Sequence, residues 1–349
     1  MRAFLIGLAF AGLASACLAP PASAQITERT VNRCQHGQPD ARIAACTALI
    51  KSGLARGVNL AAAYGNRADG LEAKGEHEQA LADYARGIAL DPHNPVLYNN
   101  RGLVYMAQGR IDEALAAFNA AIARGNGDNP VFLVNRGQAY LFMGRLDEGI
   151  ADLNRALQID PGMAVAYAER GTAFRAKGMF DEALADLDKA VALDPDLATA
   201  RNSRGLLYAN LRRYAEAIAD FDKAIALGAL GGIDVVYTNR ADAHAALGQP
   251  DLAVADYTQA IAINPRNDVA FNNRGLSEIR LGKFDLAVAD FTQAIAINPN
   301  NGPAYNNRAQ VEEAQSHDAE AIADFRKALA LDPSLVTARA GLVRLGVTP

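Results

Sequence analysis

Side chains able to do chemistry are few in this chain, and most of them recur at a fixed interval. The five histidines, His36, His77, His93, His244 and His317, are scattered and make no metal-ligand pair. There is no Gly-x-Ser-x-Gly elbow and no glycine-rich phosphate loop followed by Lys and Ser or Thr, so acyl transfer and nucleotide chemistry lack their usual apparatus. What recurs is a pair of opposite charges. Arg67, Arg101, Arg136, Arg170, Arg204, Arg240, Arg274 and Arg308 are matched downstream by Asp83, Asp152, Asp186, Asp220, Asp256, Asp290 and Asp324, with Ala117 the exception that faces Arg101. A guanidinium and a carboxylate on adjoining helices make a bidentate pair, so the series reads as structural, and Arg101 is expected to find another partner or an exposed setting. Catalysis needs different groups converging at one place, whereas a repeat presents the same groups everywhere. No catalytic residue, metal or cofactor is expected.

The interval itself is the main finding. Successive arginines are spaced by 34, 35, 34, 34, 36, 34 and 34 residues, the length of a supersecondary unit. With the Arg as position seven, position four is mostly aromatic, position eight is Gly or Ala, and position twenty is Ala or Gly. Position twenty-four is Tyr84, Phe118, Leu153, Leu187, Phe221, Tyr257, Phe291 or Phe325. Positions four, eight and eleven form one helical stripe, and twenty, twenty-four, twenty-seven and twenty-eight form a second. Gly75, Gly109, Gly144, Gly178, Gly248 and Gly282 at position fifteen turn the chain between the two helices. Pro92, Pro161, Pro195, Pro265, Pro299 and Pro333 at position thirty-two end the second helix, because the residue before Pro avoids helical geometry. Each unit is a helical hairpin that must stack on its neighbours to bury its faces.

This pattern resembles the tetratricopeptide repeat, over residues 61–334. The resemblance implies an all-α, right-handed superhelical solenoid of about eight helix-turn-helix repeats, with caps at both ends and the first helix of each repeat lining the concave side. Residues 40–53 match the second helix of a repeat with Cys46 where the aromatic belongs, so 25–60 reads as a half repeat that caps the N-terminus. Val336 to Leu345 is long enough for a capping helix in the segment 335–349. Between the fifth and sixth repeats the Pro is missing, and Gly228, Gly231 and Gly232 lengthen the linker, either as a hinge or as a tolerated loop insertion.

Position six, which faces away from the stripe at four, eight and eleven, is Asn66, Asn100, Asn135, Asn239, Asn273 and Asn307 in six of the eight repeats, and Asn99, Asn202, Asn272 and Asn306 stand beside it at position five. Asn in a helix interior costs about 0.5 kcal/mol relative to Ala, so its recurrence needs a reason. One is peptide binding, since an amide both donates and accepts and so complements a peptide backbone. The series resembles the asparagine ladder of the O-linked N-acetylglucosamine transferase superhelix, which implies that it grips an extended peptide by its main chain. No transferase domain follows it here. The other reason is duplication of one consensus without selection for binding. Val96, Val131, Val165, Val235 and Val269 at position two, with Leu103, Leu206 and Leu276 at position nine, are either apolar walls of that groove or core.

Composition narrows the partner. The chain has 349 residues, 50% hydrophobic and 21% charged, enough to build a folded core. Residues 1–24 read as a secretory signal peptide, with Arg2, an apolar stretch and the small triplet Ala22, Ser23 and Ala24 before Gln25. Cys17 after Leu13 weakly resembles a lipobox, which would make the product an outer-membrane lipoprotein rather than a periplasmic or secreted protein. The leader carries one arginine and no acid, so the remainder has 33 basic against 39 acidic residues and a formal charge of −6. With no block of Lys and Arg, nucleic acid is excluded as the partner, and no other segment is apolar enough to span a membrane. Cys34 and Cys46 are expected to pair in an oxidising compartment. The expected function is a non-catalytic cell-envelope adaptor that binds a protein or extended peptide in its concave groove. The alternative is an envelope assembly component, lipid-anchored or oligomeric.

Overall fold

The computed structural model describes residues 26–228 and 232–349. The leader, Cys17, the junction at Gln25 and Gly231 lie outside them. The described residues form nineteen helices and no strand, arranged in two compact units, one ending at Met143 and the other beginning at Gly144.

In the first unit α1 (Glu28–His36) and α2 (Pro39–Ser52) form a hairpin closed by the Cys34–Cys46 disulfide, with a Cα–Cα distance of 4.7 Å. The hairpins α3 (Gly57–Glu72) with α4 (His77–Leu90) and α5 (Pro95–Ala107) with α6 (Ile111–Arg124) follow, then α7 (Pro130–Phe142). The second unit begins with α8 (Leu146–Ile159). Its hairpins are α9 (Ala164–Ala176) with α10 (Phe180–Leu193), α11 (Ala198–Asn210) with α12 (Tyr214–Ala226), and α13 (Ile233–Ala246) with α14 (Pro250–Ile263). They continue with α15 (Asp268–Arg280) and α16 (Phe284–Ile297), then α17 (Gly302–Ala314) and α18 (Asp318–Leu331), and end at α19 (Val336–Arg344).

The turns follow from local chemistry. At position fifteen Gly75, Gly109 and Gly178 take φ of 76°, 71° and 75°, and the next residue closes a six-to-one bond back onto the helix, Glu76 N to Leu71 O at 2.9 Å and Arg110 N to Tyr105 O at 2.9 Å. Where the sequence has no Gly, Arg212 and Ser316 are held in the same left-handed conformation at φ 58° and 62°. Six of the second helices end on Asp or Asn before Pro, and in five of them the Asp or Asn side chain accepts the amide two residues on, as Asp160 does from Gly162 at 2.9 Å and Asp332 from Ser334 at 2.8 Å.

Packing within a hairpin is set by position twenty-four. Phe118, Phe221 and Phe291 are fully buried, and a Cβ added at Gly102, Gly205 or Gly275 would lie 2.5, 2.6 or 2.8 Å from the matching ring. The ring therefore fills the space that a side chain at position eight would occupy. On the first helix the buried face is wider than positions four, eight and eleven. Position three (Ala63, Leu97, Phe132, Ala166, Ala200, Val236, Ala270, Ala304) and position ten (Val104, Ala139, Ala173, Leu207, Ala243, Ser277, Val311) are buried, while most residues at position four are only partly so. This helix packs both on its own partner and on the second helix of the preceding hairpin, as α4 on α5 and α10 on α11. Alpha-12 packs on α13 in the same way, so the longer linker does not part them.

Candidate functional site

Within each unit, successive first helices touch directly, α3 with α5 and α5 with α7, then α9, α11, α13, α15 and α17 in order. Successive second helices among the described residues make no comparable contact. The first helices therefore line the inside of the curve. Positions two and nine face outward from it. Val96, Val131, Val235 and Val269 are 49%, 48%, 49% and 51% exposed, and Leu103 and Leu276 are each 39% exposed. Val165 is exposed too, and Leu206 is partly so. Apart from Leu206, which packs against the core around Phe221, these aliphatics belong to the inner surface.

The asparagines stand on the flanks of the same helices. With the buried face recentred by positions three and ten, position six turns toward the preceding repeat and position five toward the following one. Asn135 Nδ2 donates to Asn99 Oδ1 at 2.8 Å, Asn99 Nδ2 to Asn100 Oδ1 at 3.1 Å, and Asn100 Nδ2 to Asp69 Oδ1 at 3.1 Å, where the Tyr84 hydroxyl also donates. The second unit repeats the arrangement. Asn307 donates to Asn272 at 2.9 Å, Asn272 to Asn273 at 3.0 Å, and Asn273 to Asp242 at 3.0 Å, again with a hydroxyl, that of Tyr257, on the carboxylate. Thr337 extends it through Asn306. Asn239 donates to Asn202 at 3.1 Å, whereas Asn66 makes no side-chain hydrogen bond among the described residues. Burial and the adjacent carboxylate push the Tyr84 and Tyr257 hydroxyls up, so both remain protonated donors. The amides are thus connectors between repeats, each using one N–H of two. The co-occurrence of Tyr at position twenty-four with Asp at position nine, found only in the first and sixth repeats, is the signal in the sequence that marks these carboxylates.

The arginines at position seven are clamps. Arg67, Arg170, Arg204, Arg240, Arg274 and Arg308 each hold their Asp through Nε and Nη2, for example Arg204 to Asp220 at 2.7 and 2.8 Å. Nη1 reaches position twenty-five of the preceding second helix: Thr47, Asn119 (from Arg136), Asn154, Asp188, Asp222, Thr258 and Thr292. Each clamp spans three helices. This third acceptor is a recurrent polar position that the sequence reading passed over.

One core position is charged. Position eleven is Leu71, Tyr105, Tyr140, Phe174 and Tyr208 in the first five repeats, but His244, Glu278 and Glu312 in the last three. Glu278 is 6% exposed and its Oε2 has no hydrogen-bond partner. Burial, with Asp290 nearby and only partial relief from Arg274 and Lys283, pushes its carboxyl up to about 7. A carboxyl raised on folding favours the folded state at low pH and opposes it once ionised, so stability is lost as pH rises from about 4.3 through 7. Glu278→Leu should therefore raise unfolding stability by about 2 kcal/mol at pH 8 and by much less at pH 4.5, read from urea titrations at both values.

Family models support the geometry. Tetratricopeptide repeat models match residues 99–164 and 272–335, 235–267, and 197–228, and a TPR repeat model matches 71–109 and 171–211. The chain belongs to the tetratricopeptide repeat family. Among curated proteins none matches it. Solved structures share the fold at low identity. A tetratricopeptide repeat protein from Parabacteroides merdae is 21% identical with a TM-score of 0.52, covering 72% of this chain and 99% of its own. PilF of Pseudomonas aeruginosa is 18% identical with a TM-score of 0.56, covering 62% and 97%. A chain of the APC/C hetero-tetramer Cut9-Hcn1 is 18% identical with a TM-score of 0.64, covering 88% of this chain but only 59% of its own length. Tetratricopeptide repeats bind proteins or peptides and are in general interaction scaffolds, and this chain has the fold of a protein-protein interaction scaffold. Among the described residues no group of His, Cys, Asp and Glu is arranged to hold a metal, and no helix is long and apolar enough to cross a membrane.

Proposed function

We propose that this tetratricopeptide protein is a non-catalytic adaptor of the cell envelope that holds a partner polypeptide against the inner surface of its stacked first helices. The exposed aliphatics at positions two and nine carry the reading: Val96, Leu103 and Val131 in the first unit, and Val235, Val269 and Leu276 in the second, recur on the inner side of the first helices and stay 39–51% exposed. The asparagines beside them add polar groups already fixed in orientation by the inter-repeat bonds, so little side-chain entropy is lost when a peptide meets their remaining N–H groups. The Cys34–Cys46 disulfide and the signal-like residues 1–24 support an oxidising compartment.

The test compares capture of partners from envelope extract by three forms of the protein. One is the wild type. The second carries Val96→Ser, Val131→Ser, Val235→Ser and Val269→Ser. The third carries Leu252→Ser and Leu286→Ser, which are exposed on the second helices. Because all these positions are exposed, helicity should be unchanged. A defined partner lost only from the valine variant supports the reading, and equal capture by all three overturns it. Sequencing the mature N-terminus separates a soluble adaptor beginning at Gln25 from an anchored component beginning at Cys17.

A further inference from the structure

The second repeat breaks the clamp pattern in three places at once. At position twenty-three, where seven repeats have Asp, it has Ala117. At position twenty-five of the preceding helix, where the third guanidinium nitrogen finds Thr, Asn or Asp elsewhere, there is Ala85. At position thirty, where the other repeats have Leu90, Ile159, Leu193, Leu227, Ile263, Ile297 and Leu331, there is Arg124. Two acceptors are removed and one cation is added.

Arg101 nonetheless keeps the posture of its sister arginines. Its guanidinium carbon lies 5.4 Å from the Tyr98 ring centroid, against 5.5 Å for Arg67 on Tyr64, 5.5 Å for Arg170 on Tyr167 and 5.4 Å for Arg240 on Tyr237. It makes no hydrogen bond or ion pair among the described residues, and its Nε is shielded from solvent without an acceptor. Arg124 lies 4.2 Å from the centroid of the same ring, held by Nε to Pro92 O at 2.8 Å and Nη1 to Ala120 O at 3.1 Å, and it too has no carboxylate partner. Two guanidinium groups thus share one tyrosine at the seam of α4, α5 and α6. In the six sister clamps the same Nε and Nη2 atoms hold a carboxylate, which identifies the chemistry this geometry is shaped to bind.

We propose that Arg101 and Arg124 form an oxyanion site that takes a carboxylate of an acidic polypeptide in the position that Asp occupies in the sister repeats. The site lies on the second-helix side of the stack and does not depend on the concave surface. An acidic side chain entering there gives Arg101 the fork-to-carboxylate pairing its neighbours have, and Arg124 adds a second positive charge.

The test follows the arginine Nε–H signals of the full chain by nuclear magnetic resonance, with the Arg101 signal assigned through Arg101→Lys. A hexaglutamate peptide and sodium acetate are titrated separately at constant ionic strength. The Arg101 signal should move saturably with hexaglutamate, at a midpoint at least about tenfold lower than with acetate, since several carboxylates are presented at once. In Ala117→Asp the signal should start where the paired arginines lie and not respond. Arg124→Leu, an exposed change that restores the usual residue, should weaken hexaglutamate binding several-fold and decides the matter should Ala117→Asp fail to fold. No saturable movement in the wild type, or titrations of the Ala117→Asp and Arg124→Leu variants identical to that of the wild type, overturns the site. Acetate binding as tightly as the peptide assigns the carboxylate to a free small acid and overturns the polypeptide source.

Discussion

Asp220→Ala should destabilise the protein by about 3–5 kcal/mol, the cost of leaving buried charge unpaired. Asp220 is 4% exposed and takes Arg204 at 2.7 and 2.8 Å and Arg201 at 3.2 Å. Its loss therefore takes the buried carboxylate from two guanidinium groups and not one. A guanidinium keeps its charge at any ordinary pH even without this partner, so the group cannot escape by losing its proton. Asp188, the third partner of Arg204 at 2.8 Å, is half-exposed. Asp188→Ala should cost less than about 1 kcal/mol, because water replaces the lost contact. Urea unfolding gives both values, and hydrogen exchange should place the Asp220→Ala damage on α11, α12 and α13. Equal costs for the two substitutions would show that burial does not govern the clamp.

Reducing Cys34–Cys46 should destabilise the first hairpin by about 3 kcal/mol, from the entropy regained by a loop of this length in the unfolded chain. The cysteines are 12 apart in sequence and both are buried. α1 is only nine residues long and packs on α2 and α3 alone, so little else holds it. In a stack where each repeat contacts only its neighbours, the loss should stay local. Hydrogen exchange after reduction should quicken across α1 and α2 and remain unchanged in α15 to α18. Uniform quickening along the chain would mean that the terminal hairpin governs the whole stack.

The parts legible in the sequence are those fixed within one repeat. The turn at position fifteen, the ring over position eight and the Arg–Asp pair all join residues of a single hairpin, and one period shows them. What spans two repeats was harder to read. Positions three and ten are buried only because each first helix also meets the preceding hairpin. The directions of Asn100, Asn135, Asn273 and Asn307 depend on acceptors more than thirty residues away. The aliphatics at positions two and nine could be assigned to core or groove only once that second packing surface was known.

The clamps and the asparagines at position six share a direction. Nη1 of every position-seven arginine except Arg101, and Nδ2 of Asn100, Asn135, Asn239, Asn273 and Asn307, donate to acceptors in the unit before. Cutting repeats from the C-terminal end leaves carbonyl, carboxylate and hydroxyl oxygens that water can satisfy. Cutting them from the N-terminal end leaves guanidinium and amide N–H groups that water must likewise satisfy. On a chain that emerges N-terminus first, the acceptors of each new repeat therefore precede its donors.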